Sequence, residues 1–97
     1  MTSMALPTNR VTTHPGEHLR EDVLKEKKMS AAAFARLCGL PVRYVRELVR
    51  ERRPVTAEAA WAISGALGST PEFWMGLQTA HDLTMARPRR RAMRGAR

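Results

Sequence analysis

Ninety-seven residues, 43% of them hydrophobic and 27% charged, support one small domain and exclude a second independent core. The formal net charge of +8 makes a polyanion the expected partner, with a solubilising surface or a basic tail as the plain alternative. A single cysteine, Cys38, excludes an internal disulfide and fits a reducing compartment.

Residues 1–13 carry Pro7, Asn9 and several threonines without periodicity, and read as a flexible N-terminal arm. The arm lacks the apolar core of a secretion signal, and no apolar run approaches the roughly 18–20 residues that span a bilayer. A cytoplasmic location with no membrane contact is expected. Pro15-Gly16-Glu17 opens a first helix whose Leu19, Val23 and Leu24 share one side, and Lys27-Lys28 suit the negative end of its dipole. Ser30 is a good N-cap for a second helix, Ala31 to Cys38, with Phe34 and Leu37 expected to point inward. Gly39 supplies its stop. Pro41, expected in the first turn, starts a third helix that runs to about Arg50, and Arg52-Arg53-Pro54 breaks it. Thr56 caps a fourth helix through Leu67, and Gly68 ends it. Thr70-Pro71-Glu72 starts a fifth, which carries Phe73, Trp74, Leu77, Ala80 and Leu83. Residues 87–97 offer six arginines and little to bury, and read as a disordered basic tail. The predicted fold is all-α, with five helices over residues 14–86.

The charges are sorted along the chain. Lys and Arg against Asp and Glu number 6 and 2 over residues 31–53, 0 and 3 over 54–86, and 6 and 0 over 87–97. The first basic block coincides with a helix-turn-helix spacing: small Ala35 at the helix crossing, Gly39 in the turn, and branched Val45 and Leu48 in the angle between the helices. On a 100° wheel with Arg43 at zero, Arg46 and Arg50 fall within about 60° of it and Glu47 near +40°. Val45, Leu48 and Val49 cluster on the opposite side.

An exposed face of this kind suits a recognition helix in the major groove. Arginine binds guanine O6 and N7 with two hydrogen bonds. Glu47 either accepts from cytosine N4 or orients a neighbouring arginine. Tyr44, at the edge of the polar face, is placed to touch a phosphate or a thymine methyl, and Arg52 and Arg53 to hold the DNA backbone. Ser30 caps its helix or presents that N-terminus to a phosphate. The predicted DNA-facing set is Ser30, Ala31, Val42, Arg43, Tyr44, Arg46, Glu47, Arg50, Arg52 and Arg53. The plain alternative is a solvated helix face.

The chain resembles the lambda-repressor-like, or XRE-type, DNA-binding domains, and within them the HigA-family antitoxins of bacterial toxin–antitoxin modules. His14-Pro15-Gly16-Glu17, Val55-Thr56-Ala57-Glu58, and Ser69-Thr70-Pro71-Glu72-Phe73-Trp74 followed by Leu77-Gln78 carry the resemblance, which spans about residues 14–86. Two departures flank the third helix: Pro41 stands where the family often has Ser or Thr, and Arg50-Glu51-Arg52-Arg53 where it usually has an Asn-Gly turn. The basic tail is not a regular family feature. The resemblance implies binding to a cognate HigB-type toxin, a small RelE-like ribonuclease, and repression of the chain's own operon by a dimer. It names no toxin-contact residues.

Phe73, Trp74, Leu77, Ala80 and His81 make the fifth helix the expected dimer element, with more apolar surface than one face needs; a wholly intramolecular helix is the alternative. Two-fold symmetry would set recognition helices about 34 Å apart on an inverted-repeat operator. Trp61 and Trp74 are expected in the core. His14, His18 and His81 are too scattered for a metal site, and Cys38 has no partner base, so neither metal nor cofactor is expected. A stand-alone XRE-type regulator with no toxin is the competing function. An enzyme or RNA-binding protein finds no support, because paired acid and base, nucleophile and stacking aromatics are all missing.

Overall fold

The computed structural model describes residues 13–88, so the arm expected over 1–13 and the tail expected over 87–97 lie almost wholly outside the described residues. Helix α1 runs without a break through Pro15–His18, a π-helical stretch Leu19–Leu24, and Lys25–Lys27. The five-residue spacing of Leu19 and Leu24 fits that geometry: i→i+5 bonding brings both to the buried side, and Lys25 N–H closes onto Arg20 O. His14 caps α1 by accepting from Gly16 N–H at 2.8 Å, with Pro15 at the position where a missing N–H costs nothing. Lys28 closes α1 in the left-handed region at φ 54°.

Helix α2 is Ala31–Cys38, α3 Val42–Val49, α4 Ala57–Leu67 and α5 Pro71–Met85, and among the described residues there is no strand. Three hydroxyls cap as their sequence positions require. Ser30 Oγ accepts from Ala33 N–H at 3.0 Å, Thr56 Oγ1 from Ala59 N–H at 3.1 Å and Thr70 Oγ1 from Phe73 N–H at 3.2 Å. Gly39, at φ 77°, takes the left-handed turn between α2 and α3 that a side chain would strain. Pro41 is extended and precedes α3 rather than lying in its first turn, so α3 begins with no side-chain cap.

α2 packs on α3 and α4, α4 on α5, and α1 against both α3 and α5. Leu19, Phe34, Val45, Leu48, Ile63 and Trp74 close the core, one or more from every helix. Two apolar residues depart from the sequence reading. Leu37 is exposed, and Trp61 is 68% exposed, because α4 buries Ala59, Ala60, Ile63 and Ser64 instead. Small residues let that face of α4 approach its neighbours closely, which turns the indole outward.

A buried polar side chain ties the last helix to the loop before α4. Gln78, almost fully buried, accepts from Val55 N–H at 2.7 Å and donates to Asp82 Oδ1 at 2.8 Å. Trp74 Nε1 donates to Ser69 Oγ at 3.0 Å. Gln78 thus ties α5 to the loop that follows the third helix, while the Trp74–Ser69 bond holds the start of α5 to the turn before it.

Candidate nucleic-acid interface

Helix α3 divides as its periodicity requires. Val45 and Leu48 are fully buried, while Arg43, Arg46 and Arg50 are all exposed. Arg46 and Arg50 make no side-chain hydrogen bond or ion pair with the other described residues. Unpaired guanidiniums on one open helix face are what a groove of base edges and phosphates can receive.

Helix α1 fixes the rear of α3 at two points. Gly16 of α1 meets it so closely that a Cβ there would lie 1.8 Å from Leu48 O. Arg20 of α1 reaches the far end, where its guanidinium donates to Val49 O and to Glu51 Oε2 at 3.2 Å. Lacking the Asn-Gly turn, the chain closes α3 with Glu51 itself in the left-handed region at φ 62°. Glu51 N–H bonds Leu48 O and Arg52 N–H bonds Glu47 O, both at 2.9 Å. The ion pair to Arg20 helps hold a conformation that a non-glycine residue adopts at a cost of about 1 kcal/mol or more.

Tyr44 departs from its expected role. It is 8% exposed, and its hydroxyl donates to Pro54 O at 2.7 Å. At roughly 100° from Arg43 it falls on the core side of the boundary, where the phenol has a backbone acceptor to satisfy it. Arg53 stacks over its ring, 5.3 Å from the centroid, and donates to Glu47 Oε1 at 3.2 Å. Arg52 is exposed beside it. Val42 is half-buried against the core, and Ser30 Oγ is engaged in its cap, with Ala31 half-buried behind it. Exposed Arg36, on the neighbouring α2, was absent from the set drawn from sequence.

On α5 the expected dimer residues separate. Trp74 is 1% exposed and has no surface left for a second copy. Phe73 and Leu83 are exposed, with Leu77, Ala80 and His81 half-buried. Phe73, Leu77 and Ala80 follow at i, i+4 and i+7, beside the buried Trp74–Gln78 side rather than on it.

His14 and His81, distant in sequence, meet edge to face at 4.8 Å. The described residues hold no group of three or more His, Cys, Asp or Glu able to ligate a metal. Burial first, and then the His81 charge, hold the His14 pKa below its ordinary 6.5, against the pull of Glu51, Asp82 and Glu17. The unfolded chain therefore takes up this proton first. His14 contributes its full stability above about pH 6.5 and loses it as pH falls through the lowered native value. The urea midpoint is expected to fall between about pH 7 and pH 5.5, and His14→Asn, which keeps a capping acceptor, to flatten that fall. An equal slope in the variant would clear His14 of the effect. Burial also pushes the Cys38 thiol up to about 11.

The helix-turn-helix family model HTH_3 matches residues 21–74, which take in α2, the turn and all of α3. The chain belongs to that XRE-type helix-turn-helix family, which includes the HigA antitoxins. Virulence-associated protein I of Dichelobacter nodosus is 41% identical over 73 residues, 75% of this chain and 68% of that protein. Antitoxin HigA-1 of Vibrio cholerae is 34% identical over 82 residues, 84% and 77% of the two chains. A solved structure of antitoxin GraA in complex with its operator is 41% identical, with a TM-score of 0.80 over 95% of this chain and 93% of that one. The five-helix order is that of an all-α fold shared with these antitoxin structures.

Proposed function

We propose that this chain is the antitoxin of a HigBA-type module: it binds an inverted-repeat operator of its own promoter as a dimer and neutralises a RelE-like mRNA-cleaving toxin. One observation carries the reading of DNA binding: an exposed arginine face on a helix held rigidly from behind, in a chain similar over nearly its whole length to an antitoxin bound to its operator. The likeness to HigA-1 supports the toxin partner, and the Phe73–Leu77–Ala80 stripe supports α5 as the dimer element.

Arg46, exposed and without a partner among the described residues, is the direct probe. Arg46→Ala should weaken binding to the promoter duplex by about 1–3 kcal/mol, measured by fluorescence anisotropy, with the far-ultraviolet spectrum unchanged. Affinity for the wild type should drop by about 10³-fold or more between 50 and 200 mM salt if roughly six phosphates are contacted. Unchanged affinity in the variant together with a flat salt response would refute the assignment of α3. For the toxin, co-expression with the neighbouring small basic gene product should restore growth that the toxin alone arrests.

A further inference from the structure

Glu47 lies half-buried at the edge of the exposed face, and both of its oxygens face cations. Its Oε2 is 3.5 Å from Arg43 Nε, one turn back on α3, and its Oε1 is 3.2 Å from Arg53 Nη1. The Arg53 guanidinium is itself seated over the ring of Tyr44, whose hydroxyl is anchored to Pro54 O. The chain of contacts thus runs from a buried phenol through one cation and one carboxylate to a second cation. The carboxylate is the more buried member of both pairs: Glu47 is 29% exposed, against 89% for Arg43 and 50% for Arg53.

We propose that Glu47 is a positioning residue for Arg43, setting that arginine to read one guanine in each half-site, rather than a reader of cytosine. The inference rests on the DNA-binding reading above. Engaging Arg43 at Nε leaves its two terminal nitrogens as a fork, the arrangement that matches guanine O6 and N7. Bonding cytosine N4 would draw the carboxylate from between two guanidiniums. In water an exposed pair of this kind contributes little. Inside a groove that excludes water, the same carboxylate constrains Arg43 more firmly. Among the described residues Arg46 and Arg50 have no comparable partner, so orientation is enforced there at Arg43 alone of the three.

The test selects binding sites from a randomised duplex pool, using the full chain as wild type, Arg43→Ala, Glu47→Ala, Glu47→Gln and the Arg43→Ala/Glu47→Ala double variant. Wild type should enrich a guanine at one position per half-site by about 10-fold or more over the other bases. Arg43→Ala and Glu47→Ala should both lose that preference at the same position, and the double variant should lose no more than Arg43→Ala. Glu47→Gln, which keeps an acceptor without the charge, should retain part of it. A Glu47→Ala loss at a separate cytosine position would overturn the proposal in favour of direct reading. Unchanged selectivity in Glu47→Ala would overturn it outright. If the wild type enriches no sequence, the DNA-binding reading itself fails, which the wild-type arm alone reveals.

Discussion

Gly16→Ala is expected to destabilise the chain by about 3 kcal/mol or more, lowering its melting temperature by at least about 12 °C in a circular dichroism scan. The added methyl would lie 1.8 Å from Leu48 O, 2.8 Å from Leu48 C and 3.1 Å from His14 Nδ1. The first two atoms are backbone, so no rotamer change relieves the clash. Leu48 O is also held by Glu51 N–H, and the Leu48 side chain is fully buried, so α3 has no room to yield. Helix α1 must tilt outward instead. That movement withdraws the Arg20 guanidinium from Val49 O and disturbs the His14 cap. DNA affinity should fall as well, although no arginine of α3 has been touched. A shift of the melting point by less than about 4 °C would mean that α1 and α3 do not meet as described.

Trp74→Ala should cost about 3–5 kcal/mol in urea denaturation, the usual range for emptying a buried aromatic site. The indole is 1% exposed, packs edge to face with His18 at 5.4 Å and Phe73 at 5.3 Å, and donates to Ser69 Oγ. Truncation leaves a cavity where α1, α4 and α5 converge and removes one capping-loop contact. Phe73→Ala is the matched control. Its exposed ring should cost the single chain about 1 kcal/mol or less, while weakening the proposed dimer in sedimentation velocity. Reversal of the two effects would return Trp74 to the interface and Phe73 to the core.

Much of the fold was legible because local chemistry decides it. Ser30, Thr56 and Thr70 cap helices through their own hydroxyls, and Gly39 takes a conformation few other residues tolerate. The open side of α3 followed from a 3.6-residue period acting on arginines and valines. What stayed hidden depends on contacts between distant segments. The Gly16–Leu48 approach, the reach of Arg20 to the end of α3 and the Gln78 bond to Val55 join residues 23 or more positions apart, and no periodicity encodes them. Tyr44 and Trp61 failed for a related reason. Burial at the boundary of a helix face is set by what the neighbouring element presents: a carbonyl for Tyr44, and small residues on the buried side of α4 for Trp61. The helix end at Glu51 was obscured because an ion pair does there what a glycine more often does.

Cys38, half-buried at the end of α2 with its thiol pushed up to about 11, has a consequence for handling the protein. With the thiol held up by burial, little of it is the reactive thiolate at neutral pH, so peroxide and maleimide should modify the native form more slowly than the unfolded chain. Unfolding returns the sulfur to water and restores ordinary reactivity. A rise in the alkylation rate at this single position therefore reports opening around the end of α2, without any probe having to be introduced.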